Sequence, residues 1–161
     1  MHINPVKMKI LQVLWEAGKP MKPAEIAILA RLKFPSIMVH IIWLVKKGYV
    51  LSPERGYYCL TVLGREALGF PRITKEAASI ILNPRPMERV FHFHTGIGQY
   101  AGIYADSLHD FYNKIQTINV KSLEFHTYRG DFELWFEGLG DKELAKRLNV
   151  IRETSVHGED L

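Results

Sequence analysis

Residues 35–48 read PSIMVHIIWLVKKG, and this stretch decides the fold of the first half of the chain. Its apolar residues on one helix face recur at regular spacing: Ile37, Ile41 and Leu44. Proline and serine suit a first helical turn, the two lysines suit the negative end of the helix dipole, and glycine suits the position just past the end. The stretch therefore predicts an amphipathic helix that stops at Gly48 and is followed at once by a strand.

Two helices are predicted before this stretch and a short hairpin after it. The segments 5–17 and 23–32 each start with proline and repeat apolar residues at helical spacing. Residues 52–56, SPERG, are typical of a tight turn between two strands, and a fourth helix is predicted from Gly64. Residues 1–70 are thus expected to form one domain of three helices, a hairpin and a further helix.

This order of elements resembles the winged helix-turn-helix domains of prokaryotic transcription regulators over residues 5–68. The residues that carry the resemblance are the apolar frame of the third helix together with 26–27 (IA), 46–50 (KKGYV) and 57–67 (YYCLTVLGREA). The resemblance implies a winged-helix fold. In such domains the third helix enters the major groove of DNA, and the cations around it and around the hairpin, or wing, face phosphates.

Charge is unevenly distributed along the chain. Residues 1–72 contain eleven Lys and Arg against four Asp and Glu, whereas residues 73–161 contain ten against thirteen. A small basic domain suits nucleic acid, so the first half is expected to bind DNA and the acidic half to have another partner. The cations that could face phosphates also include Lys19, Lys22 and Arg31. The candidate DNA contacts around the third helix and the wing are Lys33, Ser36, His40, Lys46, Lys47 and Arg55.

The outward face of the third helix is more apolar than base recognition requires. Helical spacing places Val39, Ile42 and Trp43 outward, and the helix contains no Arg, Asn or Gln to read base edges. One interpretation is that this face is a protein interface for a second copy or for the C-terminal half. The other is that the helix has a different register and that these residues belong to the core.

The second half of the chain is predicted to begin with a connector at 71–87, which contains a short helix capped by Thr74. A second domain is predicted at 88–153, with a hairpin that starts at Glu88 and turns at 96–98, followed by about four helices. The polar residues 154–161 are expected to form a loose tail.

This second domain resembles a small prokaryotic domain of unknown function with the pattern S-L-E-F/Y-H, R-G-D-F, W and G-D-x-x-L-A. The pattern is found here at 122–126 (SLEFH), 129–132 (RGDF), Trp135 and 140–145 (GDKELA). The resemblance covers about residues 88–150 and implies a domain assignment without an activity.

The RGDF segment is best interpreted as a structural corner between two helices. Gly130 is expected to end one helix in a left-handed turn and Asp131 to cap the next. Phe132 and Trp135 are expected to pack inward, and His126 to brace the corner.

No enzymatic template matches, so we expect neither an enzyme nor a cofactor. The chain has no phosphate-binding loop, nucleophile elbow or dinucleotide fingerprint, and Cys59 lies inside a predicted strand. The spacing of the histidines is too loose to predict a metal site. The candidate ligands are His92 and His94 on one strand face, with His109 or His126 and Glu124 or Asp131 as possible additions.

We expect a cytoplasmic protein of the α+β, mainly α class: a winged helix-turn-helix plus a small C-terminal α/β-hairpin domain. One cysteine excludes an internal disulfide framework, and no apolar run reaches the roughly 18 residues of a membrane span. The expected function is a homodimeric transcription regulator that binds double-stranded DNA and senses or recruits through its second domain. The alternative is a protein–protein interaction adaptor that uses Val39, Ile42 and Trp43 without sequence-specific DNA binding.

Overall fold

The computed structural model describes residues 3–154 of the chain. This part is α+β and mainly helical, with two small antiparallel hairpins. The chain divides into two compact units, Met1–Arg72 and Ile73–Leu161. The helix of the predicted connector lies in the second unit, and the predicted tail, apart from Thr154, lies outside the described residues.

Three helices build the first unit: α1 (Pro5–Ala17), α2 (Pro23–Ala30) and α3 (Phe34–Lys46). The predicted bounds of α1 are confirmed, because Asn4 caps its start and Gly18 ends it with a left-handed backbone (φ 63). α2 ends two residues earlier than predicted.

The inward stripe predicted for α3 is confirmed. Ile37, Ile41 and Leu44 are completely buried and belong to one apolar core with residues of α1 and α2. Burial of each such side chain contributes roughly 1.5–3 kcal/mol, so this stripe holds α3 against the other two helices.

A short hairpin and a fourth helix complete the first unit. β1 (Val50–Leu51) pairs antiparallel with β2 (Cys59–Leu60), and a single bridge joins Met21 to Tyr58 beside them. α4 (Val62–Ala67) starts two residues before the predicted position, because the Thr61 hydroxyl accepts a hydrogen bond from the Gly64 N–H and thereby caps it.

The second unit contains a longer hairpin of β3 (Phe91–Gly96) and β4 (Gln99–Ala105). The predicted turn at 96–98 is confirmed, with register irregularities on both sides of His94. The predicted strand start at Glu88 is wrong, since Met87–Arg89 form a 3₁₀ turn closed by the Arg89 N–H on the Pro86 carbonyl.

The described part of the second unit also contains five α-helices, of which α6 and α7 pack against this hairpin. Side-chain caps start four of them, at Thr74, Ser107, Asn119 and Asp141. The core is rich in aromatic side chains, among them Phe93, Phe111 and Phe136. The helices are α5 (Lys75–Leu82), α6 (Leu108–Ile115), α7 (Val120–Arg129), α8 (Asp131–Leu139) and α9 (Lys142–Glu153).

Among residues 3–154, no single helix has both the length and the apolar character that crossing a membrane requires. Taken together, α2 and α3 pass the same test, with a bend of 109° between them.

Candidate functional sites

α2 and α3 meet at an angle of 109° across a three-residue connection. The turn depends on Arg31, whose backbone adopts the left-handed conformation (φ 54) that residues other than glycine rarely take. Its N–H donates to the Ile28 carbonyl, and the N–H of Leu32 donates to the Ala27 carbonyl. Leu32 packs against the core, so backbone bonds and one apolar anchor fix the direction in which α3 leaves the turn.

The six predicted DNA contacts lie on α3 and on the segments that flank it. Five are exposed and His40 is half-buried. α3 contains no acidic residue. Within residues 3–154, the four cations of this set form no ion pair with a carboxylate. They are Lys33 before α3, Lys46 and Lys47 at its end, and Arg55 in the β1–β2 turn.

Two of the three outward apolar residues of α3, Val39 and Ile42, are not part of the core, whereas Trp43 packs against it. Val39 is 67% exposed and Ile42 is 47% exposed, so the helix register predicted from the sequence holds. Trp43 is half-buried: its ring stacks on Tyr49 with centroids 6.2 Å apart, and the ammonium of Lys7 lies 4.4 Å from its ring centroid. The exposed apolar face of α3 is therefore narrower than predicted.

Sequence reasoning missed exposed apolar side chains next to this face. Ile28 is 74% exposed on α2, and Leu29 and Phe34 are exposed beside the turn. The signal was present in the sequence, since α2 is apolar on nearly every side and only Ile26, Ala27 and Ala30 of its residues are buried.

His126 is the centre of a polar cluster in the second unit. Its Nδ1 lies 2.7 Å from Asp131 Oδ2, and its Nε2 accepts the backbone N–H of His94 at 2.8 Å. Because Nε2 accepts, Nδ1 carries the proton and donates to the carboxylate, which describes a neutral ring. Burial lowers the pKa of His126; the hydrogen bond and charge of Asp131 oppose this, and the charges of His94 and Arg129 add to the lowering.

The corner between α7 and α8 is built as predicted in one respect and differently in another. Gly130 ends α7 with a left-handed backbone (φ 72), as expected. The prediction that Asp131 caps α8 is wrong, because it is the first residue of that helix. Its carboxylate instead accepts hydrogen bonds from His126 and from Arg129 Nε at 3.0 Å. The expected bracing by His126 is thus confirmed.

The candidate metal ligands are only partly brought together. His126 and Asp131 lie beside His94, whereas the ring of His109 on α6 contacts the Asn113 amide. His92 is exposed on the hairpin. No group of three or more His, Cys, Asp or Glu side chains in the described chain is placed to hold a metal ion.

Residues of the described part of the second unit line a larger and a smaller cavity. The larger, about 470 Å³, is lined by the hairpin turn, by His92 of β3 and by residues of the His126 cluster, including His94 and Arg129. The smaller, about 290 Å³, is lined by Arg85, Arg89 and residues of α8.

No protein-family model matches this chain, and no curated protein is significantly similar to it.

Proposed function

We propose that the first unit is a winged-helix domain that binds double-stranded DNA, and that the chain is a transcription regulator whose second unit senses a ligand or recruits a partner. The observation that carries this proposal is the pair α2 and α3. Two helices at 109° joined by three residues fit the helix-turn-helix motif, in which the crossing angle is about 90–120°. The second helix of the pair contains no acidic residue, and the cations that flank it form no ion pair with a carboxylate of residues 3–154.

The short hairpin after α3 supports the same proposal. Three residues separate the end of α3 from β1, and the turn before β2 carries Arg55 in an exposed position. The bridge between Met21 and Tyr58 anchors the hairpin to the segment between α1 and α2. A hairpin held in this way offers a cation to a phosphate beside the groove that α3 would occupy.

The chemistry of this surface favours backbone contacts over base readout. The cations before and after α3 can neutralise phosphates, and Ser36 and His40 are the polar side chains that α3 offers to base edges. Phosphate contacts release counterions, so affinity should fall steeply with salt. We therefore propose binding of modest sequence specificity, with a homodimer supplying two half-site contacts.

A titration of random-sequence duplex at low and at moderate salt tests this proposal. We expect wild-type affinity to fall steeply between the two conditions. The substitutions Lys46→Ala and Lys47→Ala should each weaken binding. Each should also lower the salt slope, the steepness with which the logarithm of affinity falls with the logarithm of salt concentration, by about one. Lys142→Ala, which removes an exposed cation of the second unit, is the matched control and should leave both quantities unchanged. No binding at low salt, or binding that ignores salt, would overturn the proposal.

A specific observation supports the second candidate, a protein–protein interaction adaptor. Exposed apolar side chains on α2 and α3 flank the same turn, with Ile28 and Val39 the most exposed among them. Surfaces with this composition are typical of protein contacts. In this proposal the face defined by Val39, Ile42 and the exposed edge of Trp43 binds another protein chain without sequence-specific DNA contacts.

A further inference from the structure

The smaller cavity of the second unit has an unusual balance of charge. It is a groove of about 290 Å³, named here the arginine groove, and its lining consists of Arg85, Arg89, Leu134, Trp135, Gly138 and Leu139. Its lining among the described residues therefore combines two arginines with apolar residues and contains no carboxylate. Small-molecule sites typically have this mixture of apolar lining and few polar groups.

Arg85 is held at one end of the arginine groove with a donor to spare. Its backbone N–H donates to the Asp106 carbonyl at 2.7 Å, and its Nη2 donates to the Leu139 carbonyl at 3.3 Å. Its Nε is buried and has no hydrogen-bond partner within residues 3–154. A buried donor on a charged group costs free energy while it is unpaired, so the Arg85 guanidinium lacks one of the hydrogen bonds that it could make.

Within residues 3–154, the charges of Arg85 and Arg89 are not paired with a carboxylate. In the described part of the second unit the other three arginines, Arg129, Arg147 and Arg152, pair with carboxylates of Asp131, Glu143 and Glu133. Neither groove arginine forms such a pair within residues 3–154. Two unpaired guanidinium groups beside one groove attract an anion, and their planar forks suit a carboxylate or a phosphate.

The apolar side of the groove is fixed in place. The indole N–H of Trp135 donates to the Arg89 carbonyl at 3.0 Å, and Leu139 is buried beneath it. Leu134 is 68% exposed at the rim. Gly138 leaves open space, since a Cβ built on it would meet no atom within 4 Å. The wall is thus preformed, and it is open because a glycine lies where a side chain would fill it.

The larger cavity is a weaker candidate because its charges already neutralise one another. Arg129 pairs with Asp131, and both ring nitrogens of His126 are engaged. An anion there would compete with the carboxylate of Asp131 for the same guanidinium.

We propose that the arginine groove binds a small organic anion, with a carboxylate or phosphate on the two guanidinium groups and an apolar body against Trp135 and Leu139. Binding at this groove does not depend on DNA binding by the first unit.

A titration followed by nitrogen–proton correlation spectroscopy on the full chain tests this proposal. The chain has three tryptophans, and Trp135→Phe identifies the indole signal of Trp135. The probes are benzoate, phenyl phosphate and the neutral benzamide, each to millimolar concentration. We expect at least one of the anions to shift the Trp135 signal saturably and benzamide to shift it far less. The anion that binds with the higher affinity shows whether the groove prefers a carboxylate or a phosphate ester.

Three variants distinguish the contribution of the arginine charges to binding from that of the shape of the groove. Arg89→Met and Arg85→Lys should each weaken binding of the anion about tenfold, because each removes charge-assisted hydrogen bonds. Gly138→Leu should block the groove while both arginines stay. Lys142→Met is the charge-matched control and should bind as the wild type does. Arg89→Met is the safest of the three for folding, since its side chain is exposed and its carbonyl still accepts from Trp135.

Three outcomes would overturn the proposal. The first is that neither anion shifts the Trp135 signal, and the second is that benzamide shifts it as strongly as the anions do. The third is that Arg89→Met and Gly138→Leu both bind with wild-type affinity.

Discussion

His126 joins three parts of the second unit through the two nitrogens of its ring. Nδ1 donates to Asp131 at the start of α8, and Nε2 accepts the backbone N–H of His94 in β3. The ring also lies edge-on to Phe91, with centroids 4.8 Å apart. Since every one of these contacts suits the neutral imidazole, protonation of Nε2 would break the bond to the hairpin.

We therefore expect the second unit to lose stability as the pH falls below about 6.5. In the unfolded chain His126 takes up a proton near that ordinary pKa, whereas in the folded chain burial lowers the pKa. The stability that neutral His126 contributes is fully present above its pKa in the unfolded chain. It is lost progressively as the pH falls towards its pKa in the folded chain. Amide hydrogen exchange in α7, measured between about pH 7 and pH 5, checks this prediction.

The matched variant for this experiment is His126→Gln. Its side-chain oxygen can accept the His94 N–H without titrating, so the variant should be less stable at neutral pH but lose less stability on acidification. An equal loss on acidification in both proteins would contradict the assignment to His126.

α4 lies against the β1–β2 hairpin at a position where only glycine fits. A Cβ on Gly64 would collide with the Tyr49 carbonyl oxygen and with the side chain of Leu60. The Thr61 hydroxyl donates to the Gly48 carbonyl at 2.6 Å and so links the start of α4 to the residue before Tyr49. The close approach of α4 therefore fixes the base of the hairpin.

We expect Gly64→Ala to destabilise the first unit by about 2 kcal/mol, because the helix must shift away from the backbone of Tyr49. The control is Gly138→Ala on α8, where the added methyl group meets no atom. That substitution should be neutral or stabilise the second unit by about 0.5 kcal/mol, because alanine restricts the unfolded chain. Thermal unfolding of both variants provides the measurement, and a Gly64→Ala protein as stable as the wild type would contradict the packing described.

Elements with local end signals could be predicted from the sequence. The ends of α1 follow from Asn4 and Gly18, whose effects depend on neighbours a few residues away. The early end of α2 could not be predicted, since Arg31 adopts a left-handed conformation that its residue type does not indicate. The strand start predicted at Glu88 was wrong, because a 3₁₀ turn occupies Met87–Arg89 and the strand begins only at Phe91.

At the scale of the whole molecule, the chain separates a basic unit from an acidic one. Residues 1–72 carry the excess of cations, and residues 73–161 carry the excess of carboxylates. This asymmetry and the presence of two units were visible in the sequence. The arginine groove could not be predicted from the sequence. It brings together residues far apart in the chain, as the hydrogen bond from Arg85 to the Leu139 carbonyl, 54 positions away, shows. Periodicity and local motifs contain no information on contacts of that range.

Val39→Lys distinguishes the two functions proposed for the first unit. A lysine on the outward face of α3 adds a cation where DNA would lie, so the proposed regulator should bind duplex at least as tightly, with a salt slope about one unit steeper. If this face instead contacts another copy of the chain, the same lysine places a charge in an apolar interface, and self-association should be lost.

Duplex affinity and sedimentation mass, measured on the same preparation, check both expectations. Val39→Ala is the control, because it shortens the side chain without adding charge. Duplex binding abolished by the lysine would contradict the DNA proposal, and an unchanged oligomeric mass would contradict docking of a second copy through this face.

The engaged ring of His126 has a consequence for any chemistry near the hairpin. An imidazole whose nitrogens are both occupied cannot relay a proton to a substrate or ligate zinc while the corner between α7 and α8 stays closed. His126, the most buried histidine among residues 3–154, holds the hairpin and α8 together, and protonation rather than a bound molecule would break its bond to His94.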